Sequence, residues 1–161
     1  MKHKIEKSYT YEGLGFPIHL TNVPMAEVRG EFILDIDFNK LQKAVLFHLC
    51  HKKMPLTGNE VRFIRKYFSL TTAAFGHLFG YTHSAILKWE NQENAIARIA
   101  PTAEVYLRLY ILEFLKKEAT DFKELYNEIR IPLLAEFLKR RHDYEYMPLS
   151  INAKKELISA A

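Results

Sequence analysis

Residues 70–91 read LTTAAFGHLFGYTHSAILKWEN. Two short helices joined by a tight turn fit this stretch. Thr71 and Thr82 each stand just before an apolar-periodic run, where a hydroxyl can accept an N–H from the first helical turn. Gly80, between the runs, can take the positive φ that ends one helix and redirects the chain. Gly76 is small where the two helices must cross. Phe75, Leu78, Ile86 and Trp89 supply a shared core, with Ala85 turned inward beside them. On the second helix His83 and Leu87 are four apart, as are Ser84 and Lys88, so these four share the outer face. That is the specification of a helix-turn-helix, and a major groove admits a helix with such a face. The plainer reading of the same residues is a helical hairpin with a solvated polar surface.

The pattern extends in both directions. Upstream, Thr57-Gly58-Asn59-Glu60 has capping-box spacing, and Val61, Ile64 and Phe68 follow on one face. Before it, DFNKLQKAVLFHLCHK (residues 37–52) spaces Leu41, Val45 and Leu49 by four, which predicts a helix, and Pro55 either stops it or begins a linker. Residues 1–36 are punctuated by Gly13, Gly15, Pro17, Pro24 and Gly30. Ile18, Leu20 and Val23, then Phe32, Leu34 and Ile36, partly alternate, as in a small antiparallel meander. Downstream, Pro101 opens a long helix, TAEVYLRLYILEFLKKE, followed by the helical patterns DFKELYNEIR (121–130) and LLAEFLKRRH (133–142). The last twenty or so residues read as a short helix or a frayed tail. These elements predict a mainly α chain with a small N-terminal α+β domain (a β-meander plus a helix) and a lambda-repressor-like helix-turn-helix bundle. The expected divisions are 1–54, 55–118 with the long helix, and a helical extension over 119–161.

Composition narrows the function. The chain has 161 residues, 48% apolar, with a formal charge of +4 and a pI of about 9.1. This mild basicity suits an acidic partner without demanding one. Cys50 is the one cysteine, so no internal disulfide supports the fold. No h-region follows the N-terminal lysines, and no apolar run nears the roughly 18 residues of a spanning helix. The expectation is a cytoplasmic protein with no membrane partner. Seven histidines are scattered, and no nucleophile, carboxylate pair or phosphate loop sits in a motif, which argues against an enzyme. His48, Cys50 and His51 lie too close along one helix to wrap a single ion, so neither metal nor cofactor is expected. They read as a packed thiol and two surface imidazoles.

Leu70, Thr71, Phe75, Leu78, Gly80, Trp89, Glu90 and Asn91 stand where the Cro/cI-type (XRE-family) helix-turn-helix has matching residues, and residues 56–98 resemble that family. The resemblance implies binding to double-stranded DNA, with Thr72, Thr82, His83, Ser84, Leu87 and Lys88 as DNA-facing residues. There are departures. Thr72 replaces a frequent glutamine. Gln92 replaces the usual glycine after Glu90-Asn91, leaving Asn91 or Asn94 to stop the helix. Residues 57–98 carry Arg62, Arg65, Lys66, Lys88 and Arg98 against Glu60, Glu90 and Glu93, a small excess that implies modest affinity for one copy. A homodimer on a palindromic operator is the expectation, with half-sites roughly 34 Å apart.

The N-terminal stretch YEGLGFPIHLTNVPMAEVRGEF, followed by a helix and the helix-turn-helix, is similar to the MqsA/YgiT-type antitoxins. In those proteins a small zinc-bearing domain precedes an XRE-type domain. Gly30-Glu31 stand at the Gly-Glu of their zinc knuckle, but Ala26 and Arg29 stand at its cysteines, so no zinc is implied here. The stretch from Glu93 through LYNEIR also resembles the end of that family. The resemblance implies a transcriptional repressor of its own toxin-antitoxin operon, with a cognate toxin protein as partner. The alternative is a stand-alone regulator, or a protein-interaction adaptor without a toxin. The long helix after Pro101, apolar nearly all round with Val105, Leu109 and Leu112 on one side, is the expected dimer contact.

Overall fold

The computed structural model describes residues 1–115, 135, 136, 138, 139 and 148–158. In chain order its elements are β1 (His3–Tyr11), β2 (Ile18–Val28), β3 (Glu31–Leu34), α1 (Phe38–His51), α2 (Gly58–Tyr67), α3 (Thr72–Leu78), α4 (His83–Glu90), α5 (Pro101–Phe114), β4 (Leu149–Asn152) and α6 (Ala153–Glu156). The chain divides into two compact units. The first joins Met1–Val45 to Met147–Ala161, and the second is Leu46–Tyr146. The breaks suggested by sequence, after residues 54 and 118, differ from these points. The expected helices over 121–130 and 133–142 lie outside the described residues, apart from helical positions 135, 136, 138 and 139.

The first unit is organised around β2. Along one edge it pairs antiparallel with β1, from His3 opposite Ala26 to Tyr11 opposite Ile18. Two strands share its other edge end to end. β3 runs antiparallel beside residues 25–28 and β4 runs parallel beside residues 18–21. Pro24 in a central strand is explained by this division. Glu27 N–H donates to Lys2 O at 2.9 Å, while Pro24 O, on the opposite edge, accepts from Asp35 N–H at 2.9 Å. An amide N–H at position 24 would have faced Asp35 O, just past the end of β3 and next to the gap that β4 leaves beyond Thr21. The proline therefore costs the ladder only its last bond on the β3 side. Asn22, beside that gap, has φ +51°. The buried positions step from Ile18 and Leu20 to Val23 and Met25 across it.

β2 turns into β3 through Arg29 (φ +53°) and Gly30 (φ +88°). Positive φ at both central residues makes this the type I′ hairpin turn that suits twisted strands. The positions compared above with a zinc knuckle thus close a two-residue hairpin. β4 buries Ile151 opposite Leu20, and Asn152 caps α6 by accepting from Lys155 N–H at 3.1 Å. Leu157 O accepts from Asp37 N–H at 3.4 Å, and Lys40 Nζ donates to Ile158 O at 3.1 Å, tying the chain's last described residues to the start of α1.

The expectation of a mainly α fold is therefore overturned. The protein is mixed α/β, with a four-stranded mixed sheet. The stretch 149–152, expected to be helical or frayed, is a strand, because it completes the edge of β2 that β3 leaves open. Phe32, expected on the inward face with Leu34 and Ile36, is 38% exposed.

In the second unit, local signals act as the sequence predicts. Thr57 Oγ1 accepts from Glu60 N–H at 3.3 Å while Glu60 Oε2 accepts from Thr57 N–H at 2.8 Å, a complete capping box. Gly58 and Asn59 donate their N–H groups to Ala95 O and Glu93 O. α5 differs from expectation. Its buried face carries Leu107, Ile111 and Leu112 together with Glu104 and Arg108, whose exposures are 1% and 0%. Arg108 donates to Cys50 O, Lys52 O and Met54 O and pairs with Glu104 Oε1 at 2.6 Å. Glu104 Oε1 also accepts from Leu56 N–H at 2.8 Å. An internal ion pair, not apolar surface all round, defines this helix. Val105 and Leu109 are only partly buried, while Tyr106 is 54% and Phe114 49% exposed.

Removing the side chain of β4's anchor tests the sheet assignment. Ile151→Ala should cost about 2–5 kcal/mol, measured by urea unfolding. A loss of a few tenths of a kcal/mol would place 149–152 outside the core.

Candidate nucleic-acid interface

α3 and α4 are joined by four residues, and each begins with a threonine cap. Thr71 Oγ1 accepts from Ala74 N–H at 3.1 Å and Thr82 Oγ1 from Ala85 N–H at 3.3 Å. α3 ends at Phe79, and Gly80 takes φ +73°. Gly76 lets the helices meet. A Cβ there would stand 2.5 Å from Tyr81 O and 3.2 Å from both Thr82 O and Ile86 Cγ1. Phe75 and Ile86 are fully buried and Trp89 nearly so, its ring edge-on to Tyr81 at 4.8 Å. Leu78 corrects the expected core: it is 39% exposed, because it sits on α3's outer side beside His77.

Glu90 fixes α4 to α2. Its carboxylate is 3% exposed and accepts from Arg65 Nε at 2.5 Å, Arg65 Nη2 at 2.9 Å and Arg62 Nε at 3.4 Å. Arg62 Nη2 reaches Glu90 O at 3.2 Å, and Arg65 Nη1 reaches Leu70 O at 3.0 Å. The hydrogen bond to Glu90 raises the pKa of Arg65 above its already high usual value. α4 also meets the start of α2 closely, since a Cβ on Gly58 would lie 2.5 Å from Trp89 O. The helix stops at Asn91, its C-cap, and not at Asn94. Asn91 stays in the right-handed region, and Glu93 adopts φ +52°, turning its carbonyl toward Asn59 N–H.

With the helix so held, His83, Ser84, Leu87 and Lys88 are exposed together on α4, with Leu87 42% exposed. Thr82, at the cap, is exposed as well. Its oxygen is engaged with Ala85, but its hydroxyl hydrogen can still donate outward. Thr72 is half-buried at the start of α3, apart from the α4 group. Ala73, Ala74 and His77 of α3 are exposed. The alanines carry no signal that sequence reading could have used.

The charges divide sharply. Arg62, Arg65, Glu60 and Glu90 are held in internal pairs, Glu60 through Lys52 at 2.8 Å. Lys66, Lys88 and Arg98 stand exposed, against exposed Glu93. The outward charge is positive but small. No group of three or more His, Cys, Asp or Glu side chains gathers among the described residues. Cys50 is fully buried, and burial pushes its thiol up to about 12 despite the opposing charge of Arg108. His48 and His51 are half-buried beside Phe47, not on the open surface as expected. No described helix is long and apolar enough to cross a membrane.

Gly76→Ala should cost about 1–3 kcal/mol through backbone overpacking. Gly80→Ala, with open space around the new methyl, should cost only the left-handed strain, about 1–2 kcal/mol, and Gly80→Asn less. Thermal denaturation ranks the three, and a neutral Gly76→Ala would contradict the packing described. For Cys50, the unfolded thiol ionises from about 9 while the native thiol holds its proton to about 12. The native state then binds more protons than the unfolded chain, so stability falls as pH rises through that window. Cys50→Ala should flatten this fall, and native Cys50 should resist alkylation at pH 9 until denaturant is added. No family model, curated protein or solved structure matches the chain.

Proposed function

We propose that the chain is a sequence-specific double-stranded-DNA-binding transcriptional regulator, acting as a repressor at its own operon in the manner of an antitoxin. The observation that carries this reading is the α4 face. His83, Ser84, Leu87 and Lys88 project together from a helix locked by Gly76, Trp89 and Glu90. A rigid helix with one cation, one hydroxyl, one imidazole and one apolar tip has the chemistry to read base edges. Lys88 suits guanine O6 and N7, Ser84 either donors or acceptors, and Leu87 the thymine methyl. Thr82 and Thr72 would contact the flanking backbone, which positions without specifying. Lys66 and Arg98 add sequence-independent attraction.

A second reading, a stand-alone regulator without a toxin partner, draws support from the hairpin turn at Arg29-Gly30. Alanine and arginine replace both thiolates that the antitoxin resemblance would require, so the first unit has diverged toward another partner or none.

Gel shift with the chain's own promoter and random competitor DNA tests the DNA reading. Lys88→Ala and Ser84→Ala should each lose about 1–3 kcal/mol of discrimination between sites while leaving the melting temperature unchanged. With Lys66, Lys88 and Arg98 as the exposed cations among residues 57–98, that stretch should contribute no more than about −3 to the slope of log affinity against log salt for each bound copy. Equal affinity for operator and random DNA would sink the proposal.

A further inference from the structure

β1 forms one edge of the sheet, and its outer side has no strand partner among the described residues. Every position from His3 to Thr10 is exposed except Glu6, which is half-buried. The direction of its backbone is known. Glu27 N–H donates to Lys2 O, so the even residues of β1 bond to β2. His3, Ile5, Lys7 and Tyr9 therefore turn their N–H and C=O groups to the open edge. Nine residues of unpaired edge are a template for another strand unless charge, proline or a bulge blocks it. β1 has no proline and no positive φ. Its charges do not block pairing, because their order along the strand is self-complementary.

We propose that two copies of this chain dimerise by antiparallel pairing of β1 with β1, the two-fold axis passing through Ile5. The axis can pass through an odd residue, at a hydrogen-bonded pair, or through an even one, at a non-hydrogen-bonded pair. Centring on Lys4 or Glu6 would set like charges face to face, and centring on Ser8 would carry Lys4 past the end of β1. Centring on Lys7 would set two ammonium groups face to face. Centring on Tyr9 would leave Ile5 and Lys4 without cross-strand partners. Centring on Ile5 sets Lys4 of each copy opposite Glu6 of the other. Lys4 Nζ already lies 3.2 Å from Glu6 Oε2 of its own strand, so the pairing closes a ring of four alternating charges on that face. On the opposite face the same register sets Ile5 against Ile5 and Met1 against Tyr9. These residues are 52%, 88% and 37% exposed. Pro24 stands opposite Ile5, and Ile33 continues the face on β3 through Ala26, with Ile33 49% exposed. Between these apolar pairs the register sets His3, which lies 3.6 Å from Asp35 Oδ2, against Lys7. The apolar contact is therefore centred on the two Ile5 side chains with Pro24 behind each, and the joined sheet would have eight strands. Opposite-charge and aliphatic cross-strand pairs are the pairs that stabilise such ladders. The surface lies wholly within the first unit, so the proposal stands whether or not the second unit binds DNA.

Sedimentation equilibrium of the full chain across a micromolar concentration series should show a reversible monomer–dimer equilibrium. Lys4→Glu puts like charges together twice and should weaken the dimer about tenfold. Adding Glu6→Lys to it should restore wild-type association. Circular dichroism checks that each variant is folded. Residues paired across the axis would have Cα atoms about 5.5 Å apart, within disulfide reach. Ile5→Cys should therefore cross-link under mild oxidation, while Lys7→Cys and Tyr9→Cys should not; buried Cys50 does not compete. A monomer at all concentrations overturns the proposal. So does a dimer indifferent to Lys4→Glu, or one that cross-links at position 7 or 9 in place of 5.

Discussion

The second unit hangs on the carboxylate of Glu90. It sits at the last turn of α4, out of water, and holds two guanidiniums of α2. A carboxylate taken from water without partners would be strongly destabilising, whereas a well-bonded pair removes most of that penalty. The exchange gains orientation more than stability. Arg65 bonds both carboxylate oxygens and also Leu70 O, so one side chain sets α4, α2 and the entry to α3 together. Gly58 permits the backbone contact that makes the reach short enough. The outward face of α4 keeps its direction because its inward side is pinned at this point.

Arg108 repeats the device elsewhere. The carbonyls of Cys50, Lys52 and Met54, at and after the end of α1, lack helical partners as all helix ends do. A buried guanidinium gathers them, with Glu104 balancing its charge. Both networks place arginine where several acceptors converge, since its fixed fork of donors can satisfy them at once. Among residues 57–98 this leaves Lys66, Lys88 and Arg98 as the exposed cations, which is why the outward charge of that stretch is smaller than its composition suggests.

Much of the second unit was legible because its determinants are local. Thr57, Thr71 and Thr82 lie within four residues of the amides they cap, Gly80 sits inside the turn it permits, and Gly76 precedes it by four residues on α3. The exposed group on α4 followed from helical spacing alone. The interior charges were not legible. Glu104 and Arg108 have the i, i+4 spacing of an ordinary surface pair, and nothing nearby in sequence marks the carbonyls of residues 50–54 as partners. Leu78 looked like core by period, but it lies on the outer side of α3 and is 39% exposed. β4 was hidden for a different reason. Four residues carry too little alternation to distinguish a strand, and their partner lies at the other end of the chain. The mixed sheet, and with it the fold class, therefore escaped a reading that ran element by element.

β4 also separates the two units in time. Made from the N-terminus, the chain completes α2, α3 and α4 long before Leu149 exists, and all their contacts are near in sequence. The sheet cannot close until residues 149–152 emerge and find residues 18–21. Contacts this distant form slowly, because the intervening chain must be brought together before any pairing rewards it. During synthesis the second unit can mature while β2 still lacks its parallel partner. The nascent sheet then exposes two open edges, one along β1 and one beside residues 18–21 of β2, and only the arrival of β4 closes the second. Folding of the first unit thereby waits for synthesis of residues 149–152, and a chain cut short of them would carry an intact α3–α4 pair and an unfinished, adhesive sheet.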